Sequence, residues 1–541
     1  GKGLRSGAAH TYNTDSMEVQ EHFYTDDPAR APADATTTLP GVNYFFLGNG
    51  LIQAAVQICP RGPATPVGLL IMDPERLGPK RKALTFDPGS GLRGTMISLA
   101  EGRTIHKPKG RYVMARWIPA VAMPVVEVNW RSGDFRVEEL FFCPDEKSPR
   151  LLRRVTTYHG ATGKTKVRLK TRAGASAVEL PMEFDGKSEN SILLEYRIVR
   201  KSGTPVVELS EAGVTGNVPG SVPPEWSEAA VFGSSDPALE SFFNSAKFQL
   251  RAAVARSGKL DGGIWQYNLE WVRDQAFIAM GLTMAGRPDI ARTILDRLLR
   301  EFVSPEGATL DSSRLRSWQE SEFDQNGVLL FALETYVNWT DDTAILSRHW
   351  EKIIKAARFP LKAAFRHPES GLLRNRREFW ERHSAHGIRD GMELAHQLFV
   401  SMGLSAASRL AARLGDNRNA RAWRLAAEQL RRAMLAPGGY GLIENGRFIK
   451  RRDVKGNVQR TIRPAPDLGF PAGMPLFASG RHWINPDSSA ALPIAWEFID
   501  PTNVVAHRTL AWVETLWNQR WTGGGYGRYH VTSEPDSPGP W

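Results

Sequence analysis

Residues 213–227 read GVTGNVPGSVPPEWS, with three glycines and three prolines. Such a run can neither hold a strand ladder nor continue a helix, so it reads as a connector. The hydrophobic period differs on its two sides, and that difference decides the fold. Downstream, Asp236 followed by Pro237 is an N-cap with proline at the first helical position. Leu239, Phe242, Phe243, Ala246 and Leu250 then fall at helical spacing and predict one apolar face. Upstream, from 42 to 211, short runs rich in β-branched and aromatic residues occur at 123–130, 135–143, 151–158 and 191–199. Gly, Pro, Asp and Ser turns separate them at the interval of an antiparallel sandwich.

The fold class that follows is multidomain β plus α: an N-terminal antiparallel β-sandwich over 1–212, a linker over 213–235, and a helical domain over 236–541. Capping and periodicity predict about nine helices after the linker, near 236–257, 271–285, 287–302, 324–338, 341–367, 390–414, 416–435, 486–498 and 501–519. The long segments between them, 257–271, 303–323, 368–389 and 436–485, are rich in Trp, Arg, Glu, Gly and Asp. Alternating short and long connections suit antiparallel helix hairpins arranged in a barrel, with the long loops gathered at one end as a site.

The chain has 541 residues, 42% hydrophobic and 23% charged, which excludes disordered and fibrous classes. Lys and Arg outnumber Asp and Glu by 69 to 58. The excess is spread out, and its short basic runs at 107–111 and 450–452 read as solvated surface, so no nucleic-acid partner is expected. Cys59 and Cys143 are too few for a disulfide framework or a cysteine metal site, and they read as buried thiols in strand text. No run approaches the roughly 20 apolar residues of a membrane span.

Four stretches carry chemistry. WVRD at 271–274 opens a helix directly after an aromatic, glycine-bearing loop. Arg273 and Asp274 there could bind vicinal hydroxyls, or form a surface ion pair or cap. FWERH at 379–383 places Glu381 beside Trp380, where desolvation would raise its pKa toward that of a general acid. A solvated cluster with Arg377, Arg382 or Arg389 is the alternative. Glu320, Glu322 and Asp324 precede a helix and cap it by default, with a substrate contact by Asp324 or Gln325 the other reading. Asp487 likewise caps the Ser488-Ser489-Ala490 segment. The fourth stretch, WTGGGYGRY at 521–529, lacks the Lys-Ser or Lys-Thr of a phosphate loop and reads as the rim of a site.

Thirteen of the sixteen tryptophans follow Trp226. Those in loops or at helix starts, Trp265, Trp271, Trp318, Trp380, Trp483 and Trp521, suit stacking on sugar faces. Those inside predicted helices, Trp339, Trp350, Trp423, Trp496 and Trp512, read as core. No His-Glu-x-x-His zinc pattern and no Gly-x-Ser-x-Gly elbow occurs, and His383 and His386 lie in a loop, so no metal is expected.

Taken in order, these segments resemble the glucoamylase and glucodextranase family, glycoside hydrolase family 15, in its bacterial form with an N-terminal β-sandwich. The likeness by motif covers roughly residues 235–541. It implies an (α/α)6 barrel and an exo-acting, inverting glycoside hydrolase that releases a terminal, α-linked glucose without a cofactor. WVRDQAF implies that Arg273 and Asp274 bind the terminal sugar. FWER, followed by a helix ending in AARLGD, implies Glu381 as general acid. FDQNG at 323–327 resembles a segment lying against the same sugar, and DSSAALPIAWEFIDP and GGGYGRYH resemble two further barrel segments. The substrate-binding set is then Trp271, Arg273, Asp274, Trp318, Asp324, Gln325, Trp380, Arg382, Arg528 and Tyr529.

The sequence departs from the family at its end. The family's catalytic base is a Glu on helices that follow the segment where this chain stops, at Pro540-Trp541. The expectation is an incomplete barrel whose base lies beyond Trp541, on a downstream segment or a second polypeptide. Within the chain, the candidate bases are Glu320, Glu322, Asp324, Asp487 and Glu393. Two other readings stay open. One is an inverting disaccharide phosphorylase, with Arg382 or Arg389 holding phosphate, and the other is an inactive carbohydrate-binding relative. A periplasmic or secreted setting is the expectation, since enzymes acting on external polysaccharide are commonly exported.

Overall fold

The computed structural model of the chain describes residues 42–60, 65–76, 83–87, 89–118, 123–213, 229–262, 270–310, 321–380, 383–384, 387–462, 482–517 and 525–527. These form two compact units, one of residues 42–262 with 281–293, the other of 270–280 with 294–527.

The first unit is built on thirteen strands. Three of them, β1 (Asn43–Gly48), β2 (Gln53–Ile58) and β3 (Val67–Met72), make an antiparallel sheet. Next come β4 (Ser98–Glu101), β5 (Thr104–His106), β6 (Met114–Trp117), β7 (Val126–Ser132), β8 (Phe135–Phe142) and β9 (Arg150–His159). They are followed by β10 (Lys164–Ala173), β11 (Ser176–Asp185), β12 (Glu189–Lys201) and β13 (Thr204–Ala212). Two further antiparallel sheets run in the orders β11-β10-β4-β5 and β13-β12-β9-β8-β7-β6. The predicted runs at 123–130, 135–143, 151–158 and 191–199 overlap β7, β8, β9 and β12.

Alternation drives these strands: Val167, Leu169, Thr171 and Ala173 of β10 point inward, while its Lys and Arg residues point out. Gly174, at φ +57°, turns β10 into β11 within two residues, a conformation that suits glycine. One hydrophobic core draws on all three sheets, with Val56, Leu69, Leu99, Trp130, Phe141, Leu169 and Leu194 among its members. Cys59 and Cys143 are buried thiols, and burial pushes that of Cys143 up to about 12.

Helix α1 (Pro237–Ala253) belongs to this first unit. Asp236 caps it, accepting from the Ala238 N–H, with Pro237 in the first turn. Its expected apolar face is corrected, because Leu239 and Phe242 are 52% and 73% exposed. The buried residues are Lys247, Phe248, Arg251 and Ala252. Arg251 is held by Glu146 at 2.9 Å and by the Asn49 carbonyl at 2.5 Å, so ionic partners set the helix's orientation.

The remaining helices are α2 (Val272–Met284), α3 (Pro288–Glu301), α4 (Phe323–Thr340), α5 (Ala344–Arg358), α6 (Leu394–Arg413), α7 (Asn417–Leu435), α8 (Leu492–Ala495) and α9 (Val504–Val513). Each of the nine predicted helices thus overlaps an α-helix among the described residues, and those expected at 341–367, 486–498 and 501–519 are markedly shorter than predicted. Beyond α5 the chain continues only as 3-10 turns at Phe359–Leu361 and Ala363–Phe365, where Pro360 removes a helical donor. The predicted 486–498 helix is a 3-10 turn at Ser488–Ala491 followed by the short α8. A short ribbon pairs β14 (Gly391–Glu393) with β15 (Arg451–Asp453). Trp423 is buried as expected, but Trp339, near the C-terminal end of α4, is 62% exposed. Among the described residues, no helix is long and apolar enough to cross a membrane.

Helices α4 and α6 cross at Gly327 and Gly403. A Cβ on Gly327 would run into the Phe399 carbonyl, and one on Gly403 into the carbonyl of Gly327. Gly327→Ala must push two helices apart, and destabilisation by about 1–3 kcal/mol or more is expected in denaturant titrations. An unchanged midpoint would show that the crossing tolerates a methyl group.

Candidate active site

The charged residues of the second unit converge between helix starts and connecting segments. Arg273, in the first turn of α2, is buried. Its Nε donates to Asp324 at 2.6 Å and its Nη2 to Glu322 at 3.1 Å. Its guanidinium lies 4.4 Å from the centre of the Phe379 ring. Glu322 also pairs with Arg377 and accepts from the Gln325 amide. It stands at the α4 N-cap position without making a capping bond, which corrects the default reading. Asp324 meets His396 Nδ1 at 2.8 Å through its other oxygen.

Three consecutive residues, Glu378, Phe379 and Trp380, are clamped by buried groups. Lys450 Nζ lies 3.0 Å from the Glu378 carboxylate. The Phe379 N–H donates to Glu393 at 2.8 Å, while its ring carries Arg273. The Trp380 indole N–H donates to Asp487 at 2.9 Å, and Asp487 in turn accepts from Lys450 at 2.8 Å. Asp487 also caps its own 3-10 turn through Ser489 N, as expected. The ring of Trp380 remains half-buried, which leaves part of it accessible.

The run 450–452 is corrected from solvated surface to core. Lys450 and Arg451 are fully buried and Arg452 is 4% exposed. Register explains Arg451: β15 pairs with β14, placing Arg451 opposite Glu393, whose carboxylate it meets at 3.3 Å. Its other donors go to the Asn375 side chain and to the carbonyls of Arg377 and Arg389. Arg452 bonds the Gly441 carbonyl and Glu444 at 2.6 Å each.

Burial alone would raise Asp324, but Arg273 and His396 hold its carboxyl well below the usual carboxylate range. Burial opposes charge on His396, yet the Asp324 bond and the nearby Glu393 raise its pKa above that of a free imidazole. Glu393 is raised by burial, partly offset by His396 and Lys450. Asp274 is likewise raised by burial, against the pull of Arg273.

These directions fix a pH dependence. A raised His396 contributes stability that is full below about pH 6.5 and is lost as pH rises through its folded value. Glu393 and Asp274, which bind protons more tightly when folded, act in the same sense. The lowered Asp324 contributes above about pH 4 and is lost as pH falls through its folded value. Unfolding free energy should therefore decline between pH 6 and 9, and less steeply in His396→Gln. Equal slopes in the two proteins would refute the role given to His396.

Of the sequence-predicted residues, the structure brings together Arg273, Asp324, Gln325 and Trp380, with Asp274 adjoining Arg273. Asp274 is half-buried and, among the described residues, makes no side-chain ion pair. Trp271 is 8% exposed, so its ring offers little face for a sugar. Glu381, Arg382, Trp265, Trp318, Glu320, His386, Trp521, Arg528 and Tyr529 lie outside the described residues, as does the side chain of Trp483. Of the candidate bases, Glu322 is 4% exposed, and Asp324, Glu393 and Asp487 are fully buried. Each is engaged by cations, whereas a base must reach water. Sequence reasoning missed Glu378, His396, Lys450 and Arg451, and the burial of Arg377. Read locally, the basic run at 450–452 and the separate Glu378 and His396 carry no periodic signal of burial, so nothing in the sequence marked them. Among the described residues, no group of three or more His, Cys, Asp or Glu could hold a metal ion.

No family model matches the chain, and no curated protein does. Solved structures resemble it in fold. A bacterial glucoamylase complexed with acarbose superposes with a TM-score of 0.55 at 12% identity, covering 90% of this chain and 80% of that one. A wild-type glycosidase reaches 0.37 at 16% identity, over 53% of this chain and 73% of its own. A rhamnosidase from Klebsiella oxytoca with rhamnose bound reaches 0.33 at 15%, over 60% and 65%. The last two overlap too loosely to bear on the architecture. The chain shares with the glucoamylase a fold of N-terminal antiparallel sheets followed by a helical domain.

Proposed function

We propose that the chain is an exo-acting, anomer-inverting glycoside hydrolase on an (α/α)6-barrel plan. It releases a terminal α-linked glucose from an oligo- or polysaccharide, with Glu381 as general acid. The observation that carries this reading is the clamp on Glu378, Phe379 and Trp380, the residues directly before Glu381. A proton donor works only if its position is held against the reacting bond, and buried ionic anchors supply that rigidity.

In this mechanism the protonated Glu381 gives its proton to the glycosidic oxygen as the bond from that oxygen to the anomeric carbon breaks. The bonding pair stays on the leaving oxygen. Water attacks the anomeric carbon from the opposite face and passes a proton to a second carboxylate, about 6.5–9.5 Å from the first. Glu322, Asp324, Glu393 and Asp487 are too committed to cations for that part, so the base belongs outside the described residues. Asp274, half-buried and without an ion pair among the described residues, offers two acceptors to hydroxyls of the terminal sugar. Arg273 holds α2 against Phe379 and so sets where Asp274 stands.

Incubation with malto-oligosaccharides in phosphate-free buffer tests the reading. Glucose should appear one residue at a time, without phosphate. Turnover that requires phosphate would make the chain a phosphorylase, and saturable binding without turnover would make it an inactive relative.

A further inference from the structure

The outer face of the sheet β11-β10-β4-β5 carries a charge pattern that breaks at one end. Along β10 the outward residues are Lys164, Lys166, Arg168, Lys170 and Arg172, all exposed. In register with them, β11 presents Asp185, Glu183, Pro181, Glu179 and Ala177. Acid meets base over most of this ladder: Lys166 lies 2.6 Å from Glu183, and Arg168 and Lys170 lie 3.0 and 3.1 Å from Glu179. At the last position the acid is replaced by Ala177, facing Arg172.

A groove of about 450 Å³ opens there, with Arg93, Lys107, Lys170 and Arg172 among its lining residues and, among the described residues, Glu179 as its one acid. Its concavity has a local cause. Ser98 and Ala177 keep the floor low, and Gly94 lets Arg172 lie flat, since a Cβ at Gly94 would come within 2.8 Å of the Arg172 side chain. Glu179 is already neutralised by Arg168 and Lys170. Asp87, which senses Arg172, is held by the Gly89 and Ser90 N–H groups at 2.8 Å each. Arg93, Lys107 and Arg172 have no acidic ion-pair partner among the described residues.

Beside these cations stands Ile105, 64% exposed on β5, an apolar surface in a charged groove. Forked guanidinium donors match carboxylates, and an aliphatic patch matches the C–H face of a sugar ring. Among the described residues no aromatic side chain lines the groove, so they supply no platform for stacking the bases of a single-stranded nucleic acid. Its volume falls in the range of small-ligand sites, roughly 300–1,000 Å³.

We infer that this groove binds a carboxylate-bearing oligosaccharide, a segment of uronic acid residues. The site is separate from the proposed hydrolysis, so it stands or falls independently of Glu381.

Calorimetric titration of the full chain at low ionic strength tests it, with tetragalacturonate, maltotetraose and inorganic phosphate as probes. The variants are the triple Arg93→Ser, Lys107→Ser, Arg172→Ser, and Lys164→Ser at the far end of the same strand. All four positions are exposed, so folding should survive, and circular dichroism checks that it does. Tetragalacturonate should bind, roughly tenfold or more weakly in the triple variant and almost unchanged in Lys164→Ser. Absent binding, equal binding by the triple variant, or a comparable loss in Lys164→Ser would overturn the assignment. Maltotetraose or phosphate binding as tightly as tetragalacturonate would overturn it too, since the groove would then not be reading a carboxylated sugar chain.

Discussion

Replacing Glu381 by Gln is expected to slow glycosidic cleavage by about 10²–10⁴-fold, the usual contribution of a positioned proton donor, with little change in stability. Gln keeps the shape of the side chain and removes the proton. The substitution leaves the anchors of the preceding segment in place, Lys450 on Glu378, Glu393 and Arg273 on Phe379, and Asp487 on Trp380, so the fold should persist. Glu378→Gln is the contrasting variant. It weakens a buried ion pair, so it should lower the unfolding midpoint as well as the rate. Steady-state rates on maltotriose and thermal scans of both variants separate the two roles. Near-normal turnover by Glu381→Gln would remove it as the acid.

Replacing Lys450 by Met is expected to destabilise the second unit by about 3–5 kcal/mol, the cost typical of breaking a buried pair from one side. Met matches the length of the side chain but leaves the carboxylates of Glu378 and Asp487 without their shared cation. Glu393, 4.0 Å from the same ammonium, would depend on Arg451 and His396. Because Asp487 also holds the Trp380 indole, activity should fall even where the variant remains folded. Guanidinium denaturation gives the first quantity and kcat below the transition gives the second. A loss under about 1 kcal/mol, the size of an ordinary surface change, would mean that Lys450 is not the hub of this network.

The contrast between 450–452 and 236–250 shows how far local sequence reaches. The switch from period two to period 3.6 around the 213–227 connector is a local property, so strands upstream and helices downstream were legible. The buried face of α1 was not, because two of its buried residues are Lys247 and Arg251, and a hydrophobic pattern cannot register a face held by ions. The Lys450-Arg451-Arg452 run looks solvated when read alone. Its burial depends on Glu378, Glu393 and Asp487, which the fold brings from distant stretches. Arg273 and Asp274 were legible as a pair at a helix start. That Arg273 would take Asp324 and Glu322 as counter-ions was not, because those carboxylates also fit an ordinary helix cap.

Inverting hydrolysis makes one direct demand on the product. Proton NMR of the anomeric region, recorded within the first minutes after the chain is added to maltotriose, should show β-glucose accumulating before mutarotation supplies the α form. Initial release of α-glucose, or of a sugar phosphate, would contradict a mechanism in which Glu381 protonates the leaving oxygen while water attacks from the opposite face.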